Sequence, residues 1–208
     1  MKKGLLIVIS GPSGTGKGTV CKELLKNNNF WFSVSATTRA PREGEVHGKN
    51  YYFMTKEEFQ DKIEENDFLE YAEVYGNYYG TPKSKVVEML DKGKDVILEI
   101  DIQGALKVKE NYKEGIFIFI LPPSMEELKN RIIKRGTETE ESLMTRFKSA
   151  YKEINYVSKY NYAVVNDKVN DAVKKIQSII IAEKCRVDRI KDSILLSKEG
   201  IIHEQLYD

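Results

Sequence analysis

Residues 5–19 read Leu-Leu-Ile-Val-Ile-Ser-Gly-Pro-Ser-Gly-Thr-Gly-Lys-Gly-Thr. The apolar run Leu5–Ile9 has the length and continuity of a strand buried on both faces. It feeds directly into a glycine-rich turn, Gly11, Pro12, Ser13, Gly14, Thr15, Gly16, Lys17, Gly18 and Thr19. Gly11, Gly14 and Gly16 accept backbone angles closed to other residues, so the turn can wrap with its N–H groups facing inward on an anion. The helix expected to follow adds the positive end of its dipole, and Lys17 supplies a point charge for outer phosphates. The strand, loop and helix together predict a site for a nucleoside triphosphate. Gly18 stands where a loop of this type usually carries a magnesium-ligating hydroxyl. The metal is therefore expected through Thr19, through waters, or through a carboxylate elsewhere.

Outward from this loop, the alternation continues. Val96–Ile100, Ile116–Leu121 and Tyr162–Val165 are further continuous apolar runs. Helical patterns lie at Thr19–Lys26, Gln103–Asn111 and Asp171–Arg189, the last with Val173, Ile176, Ile180 and Val187 at helical spacing. Ser124 with Glu127, and Thr55 with Glu58, have the spacing of capping boxes. Strands alternating with helices predict an α/β fold, a doubly wound parallel sheet built around the phosphate loop (P-loop). Residues from about 33 to 82 break the pattern, being rich in Tyr, Phe, Thr and Gly, and read as a small mixed-β insertion. Residues of about 135–150, polar and bracketed by arginines, read as a short lid. One domain over 4–184 is expected, followed by a helix end and tail over 185–208.

Composition narrows the classes. The 208 residues carry 33 basic and 32 acidic side chains, a balance that suggests neither a nucleic-acid binder nor a membrane binder. No apolar stretch reaches membrane-spanning length and no signal peptide is evident, so the expected location is cytoplasmic. Cys21 and Cys185 have no metal or redox spacing and read as small hydrophobes on helices. His47 and His203 read as surface residues. The oligomeric state is left open.

Residues 35–51 (Ser-Ala-Thr-Thr-Arg-Ala-Pro-Arg-Glu-Gly-Glu-Val-His-Gly-Lys-Asn-Tyr) and the turn Gly76-Asn77-Tyr78-Tyr79-Gly80 closely resemble the signature of the guanylate kinase family. Glu-Ile-Asp-Ile-Gln-Gly (99–104), Leu-Pro-Pro-Ser (121–124), Arg-Gly-Thr-Glu (135–138) and Val-Asn-Asp (165–167) continue the resemblance, which covers roughly residues 4–190. It implies transfer of a phosphoryl group from ATP, with Mg²⁺, to GMP. Arg39 and Arg42, linked through Pro41, then suit a clamp on the monophosphate, although the same spacing fits a solvated turn. Tyr51 and Tyr79 could add hydroxyl donors, or simply pack on a sheet. Glu70 resembles the guanine reader, because a carboxylate can accept both N–H donors on guanine's pairing edge. Ser35 and Thr81 would address its acceptor side. The resemblance also places Glu45, Gly80 and Asp101 in this pocket, and Asn166 with Asp167 on the adenine side.

Asp101 and Glu99 end a strand at the sheet's carboxyl edge, where either could organise magnesium waters. Arg131 and Arg135, one turn apart, would repel unless anions neutralise them. With Arg146 across the lid, they are expected to join Lys17 and Arg39 as catalytic cations. No general base is required, since a phosphate monoester with a second pKa near ~6 is already ionised at neutral pH. Two other classes fit parts of the pattern: a protein-interaction scaffold that has lost catalysis, and a phosphate-loop kinase for another nucleoside monophosphate.

Overall fold

Alternate residues of the first strand, β1 (Leu6–Ser10), serve two different cores, and this divides the molecule into layers. The computed structural model describes residues 3–26, 30–74, 76–134 and 140–190, with the backbone alone at 134 and 140–146. Ile7 and Ile9 pack with Val20 and Leu24 of α1 (Lys17–Lys26) and with Ala172, Val173, Ile176 and Ile180 of α7 (Val169–Lys184). Leu6 and Val8 face the other way, onto Val86 and Leu90 of α3 (Lys83–Asp91) and Ala105 and Val108 of α4 (Ile102–Asn111). A strand buried on both faces must be apolar throughout, which is why its run does not alternate.

The remaining core strands are β2 (Trp31–Phe32), β7 (Val96–Glu99), β8 (Ile116–Leu121) and β9 (Tyr162–Val165). All pairings in this sheet are parallel, in the order β2-β7-β1-β8-β9. The chain leaves β1 at the centre and winds to both sides, so the carboxyl end of β1 is the point where ligands bind in such sheets.

A second, mixed sheet forms the insertion. β3 (Ala36–Thr37), β4 (Tyr52–Phe53), β5 (Phe68–Val74) and β6 (Asn77–Pro82) lie in the order β4-β3-β6-β5. The β3–β4 pair is parallel and the other two pairs are antiparallel. Its small core is aromatic: Phe59 of α2 (Lys56–Glu64) stacks on Phe68 at 4.3 Å and on Tyr78 at 5.4 Å. The Thr55 capping box is complete, with Glu58 N–H donating to Thr55 Oγ1 and Thr55 N–H donating to Glu58 Oε2. Ser124 accepts from Glu127 N–H at the start of α5 (Met125–Lys134).

Several expectations need correction. The five-stranded sheet includes β2, whose two residues are too short to show periodicity. The C-terminal helix stops at Lys184 with Cys185 as its cap, so Val187 is not on its apolar face but 73 % exposed. Cys185 is exposed, whereas Cys21 is buried as expected. Among the described residues, no helix is long and apolar enough to cross a membrane. The lid expected at 135–150 is described only from α6 (Glu140–Ile154) onward; Arg135, the Arg146 side chain, His203 and the tail after 190 lie outside the described residues.

Candidate active site

The loop after β1 is held from behind by its own side chains. Thr15 is fully buried and its hydroxyl donates to Pro12 O at 2.9 Å. Lys17 arches across the turn, with Nζ donating to Gly11 O at 2.5 Å and Pro12 O at 3.0 Å. Burial pushes the Lys17 ammonium below the usual lysine range, opposed by Glu99, Glu153 and Asp101. A cation held partly desolvated, with carboxylates nearby, is poised for an arriving anion. The loop opens onto a cavity of about 350 Å³ that is also walled by Glu99, Asp101 and Glu153. Ser13, Gly18 and Thr19 are exposed.

Glu99 lies beside the glycine that stands in place of the hydroxyl-bearing residue. A Cβ on Gly18 would lie 3.3 Å from Glu99 Oε1, so this carboxylate reaches the space beside the loop. Cys21, one turn on, is hydrogen-bonded to Glu99, and burial pushes its thiol far up from the ordinary range. Asp101 is the N-cap of α4, accepting from Gly104 N–H at 2.7 Å. Its role in the fold is thus capping, and only its second oxygen faces other duties.

The acceptor residues collect on the second sheet. The Arg39 guanidinium lies 5.5 Å above the Tyr51 ring and forks onto Glu45, with Nη2 2.9 Å from both carboxylate oxygens. Arg42 N–H donates to the same carboxylate at 2.7 Å. This hydrogen bonding holds the Glu45 carboxyl below its usual range and raises Arg39. Tyr79 is a further partner of Arg39 and meets Tyr51 edge-on at 6.1 Å. Arg39, Glu45, Tyr51 and Tyr79 therefore form one cluster, with Arg42 exposed at its rim.

Glu70 projects from β5 toward the core domain. Its Oε1 accepts from Thr81 Oγ1 at 2.7 Å. Burial pushes its carboxyl up, the Thr81 hydrogen bond opposes this, and Asp101 reinforces it. A Cβ on Gly104 would sit 3.2 Å from Glu70 Oε2 and 3.5 Å from Asp101 Oδ1. Gly104 was not among the site residues expected from sequence, although a glycine inside a helical pattern is the signal that marks such close approach. Ser35 flanks β3, and its carbonyl accepts from Tyr52 N–H. Gly80 is buried where a Cβ would come within 2.8 Å of Phe68, so it serves close packing of β6 on β5. Lys107 Nζ to Tyr71 O at 2.7 Å and Asn111 Nδ2 to Leu69 O at 2.9 Å tie β5 to α4.

Two expected site residues are engaged within the protein. Arg131 is paired, with Nε on Glu127 Oε1 at 2.8 Å and Nη1 on Asn166 O at 3.0 Å, while Arg135, against which its repulsion was expected, lies outside the described residues. The Asn166 side chain is buried behind the phosphate loop, with Nδ2 donating to Thr15 O at 2.8 Å. Asp167 beside it is exposed. A larger hollow of about 620 Å³ lies at the opposite, amino end of the strands. Its buried acids are paired, Glu183 with Tyr162 and Arg189, and Asp95 with Lys184.

Comparison with known proteins agrees with this geometry. A family model described as guanylate kinase matches residues 3–183. A guanylate kinase of Clostridium tetani is 92% identical over 208 residues, covering 100% of both chains. One from Clostridium acetobutylicum is 77% identical over 207 residues, 100% of this chain and 99% of the relative. The crystal structure of guanylate kinase from Anaplasma phagocytophilum superposes with a TM-score of 0.74 at 36% identity, covering 96% of this chain and 97% of that one. A glycine-rich phosphate-type loop on one sheet, a guanidinium cluster and a half-buried acid on the other, and full-length likeness to these relatives lead to one conclusion: the chain belongs to the guanylate kinase family.

Proposed function

We propose that the protein transfers a phosphoryl group from ATP to GMP, forming ADP and GDP, with the two sheets dividing the work. The carrying observation is the contact chain Glu70–Gly104–Asp101, which joins the acid that would read guanine to the wall of the phosphate-loop cavity. Acceptor and donor thus have a shared boundary one helix turn wide. Half-buried Glu70, with Thr81 beside it, penalises any base lacking two adjacent N–H donors, because the acid would be left unpaired.

Lys17 and the loop amides hold the donor phosphates. Arg39, Arg42, Tyr51 and Tyr79 hold the acceptor phosphate, which takes the place that the Glu45 carboxylate now fills on Arg39. Both reactants are polyanions, so the chain's part in catalysis is alignment and charge neutralisation. Arg131 approaches from α5, and Arg135 and Arg146 are the further cations that the family pattern assigns to the lid. Because β3, β4, β5 and β6 form one sheet, closure of the insertion, residues of about 33–82, and of the lid, about 135–150, would carry Arg39 and Glu70 together toward the phosphate loop. That motion would expel water from the phosphoryl path.

The donor set fits magnesium. Glu99 and Asp101 wall the loop cavity, and Thr19 lies exposed at the first turn of α1. Among the described residues, no three His, Cys, Asp or Glu side chains gather into a metal site, which suits an ion carried by the triphosphate with its waters. Glu99 and Asp101 would hold its hydration shell, and the ion would supply charge neutralisation across the outer phosphates.

The test is ADP release from MgATP with GMP, AMP, UMP or no acceptor. The expected result is turnover that depends on GMP and exceeds AMP by at least ~10²-fold, the discrimination expected when a wrong base strands buried polar groups. Equal rates with AMP, or none with any acceptor, would refute the assignment.

A further inference from the structure

Asn166 lies directly after β9, and three parts of the site converge on it. It is 2 % exposed. Its main-chain N–H donates to Leu121 O at 2.8 Å, fixing the residue to the end of β8. Its main-chain carbonyl accepts from Arg131 Nη1 at 3.0 Å, and its side-chain amide reaches 151 positions back to donate to Thr15 O at 2.8 Å. That donation is the only hydrogen bond its side chain makes among the described residues, with Oδ1 buried and unpartnered. The orientation of the amide follows from chemistry: turned over, it would set oxygen against oxygen.

The Thr15 carbonyl belongs to the peptide that carries Gly16 N–H. The bond is trans, so its carbonyl and N–H point in opposite directions. Holding the carbonyl behind the loop turns the Gly16 N–H toward the front, the side on which the cavity lies. The amide is also packed close: Asn166 Nδ2 sits 2.6 Å from where a Cβ on Gly16 would be, and Gly16 has φ +86°. No other residue at 16 could keep both the turn and the contact.

We infer that Asn166 is a positioning residue for phosphoryl transfer: its side chain orients the Thr15–Gly16 peptide to donate to the triphosphate, and its carbonyl sets Arg131 over the same anion. This rests on the reading that the loop holds the donor. It differs from an adenine-contacting role, because the side-chain amide nitrogen is engaged by the phosphate loop itself.

The test uses Asn166→Ala and Asn166→Asp in the full chain, with ATP and GMP binding measured separately by calorimetry. The expected result for Asn166→Ala is an ATP Kd raised at least ~10-fold with the GMP Kd within twofold of the parent. Unchanged ATP binding, or parallel loss of both ligands, overturns the inference. Asn166→Asp gives a readout that fold support alone would not move. An ionised carboxylate cannot donate to Thr15 O, whereas a protonated one can, and burial raises the pH at which it protonates. Its ATP affinity, taken as a ratio to the parent protein at each pH, is expected to recover as pH falls from 8 to 5.5. The corresponding ratio for Asn166→Ala stays flat. Should the alanine variant not fold, the aspartate series decides alone, and a pH-independent ratio refutes the idea. Lys17→Ala is the control on the underlying reading: if it too binds ATP normally, the donor assignment has failed rather than the role of Asn166.

Discussion

The donor loop and the acceptor cluster, each assigned a phosphate in the proposed function, are made from different materials. The loop presents main-chain amides on a strand–helix turn whose remaining polar groups are bonded inward, Thr15 to Pro12 and Asn166 to Thr15. Its geometry is present before any ligand arrives. The acceptor cluster presents side chains on a sheet with β3 and β4 of two residues each, and Arg39 is already engaged by Glu45. It must exchange an internal carboxylate for a phosphate. A rigid main-chain cradle suits the part of the reaction where placement sets the rate; an exchangeable side-chain cradle suits the part that admits one base and rejects another.

The sharpest way to break this contrast is Lys17→Ala. Removing a preorganised cation should lower kcat by about 10³-fold while GMP affinity stays within twofold. Single-turnover rates and GMP calorimetry separate the two, and equal damage to both would erase the division between cradles.

Glu70→Gln tests the acceptor side. Loss of charged hydrogen bonds, at about 1.5–3 kcal/mol, should raise the GMP Kd about 10- to 100-fold and leave ATP binding unchanged. The parent protein should itself lose GMP affinity on acidification, beginning above the ordinary carboxylate range, because burial holds the Glu70 carboxyl up. Stability has the opposite sign. An acid raised in the folded state favours folding below its unfolded pKa, and that contribution is lost as pH rises through the folded value. Glu70→Gln should therefore melt above the parent protein at pH 8, with the gap closing in acid. A variant less stable than the parent at pH 8 would contradict the burial reading.

Gly104→Ala sharpens the seam between the two regions. The added methyl would sit 3.2 Å from Glu70 Oε2, so the acid must shift. A several-fold weaker GMP affinity is expected alongside helix stabilisation of up to about 1 kcal/mol, measured by titration and denaturant unfolding. The smallest effect belongs to Thr55→Ala, which removes a complete capping box from α2. About 1 kcal/mol of stability should be lost with kcat unchanged, since α2 supports the insertion from its far side.

Four of the five core strands were readable from their apolar runs; for β1, β7 and β8 the reason is that a strand covered on both faces has no freedom to be polar, whereas β9, at the sheet edge, is half open and carries an apolar run all the same. β2 was not readable, since two residues carry no period, and the C-terminal helix was drawn too long because Val187 continued its spacing beyond the cap at Cys185. The phosphate loop was readable in residue-level detail, since glycine spacing itself encodes the turn. The acceptor set was proposed through the family pattern; the structure brings Arg39, Glu45, Tyr51 and Tyr79 together, and Glu70 with Thr81.

What the order of residues alone determined is the phosphate-loop turn and the sheet that carries it, because hydrophobic continuity and glycine placement act locally along the chain. What required the third dimension is which polar group faces which. The side chain of Asn166 lies beneath the loop, Glu45 on Arg39, and Glu70 against Gly104. Each such pairing joins segments brought together by packing, and a hydrogen bond across 151 positions leaves no period in the sequence by which to see it.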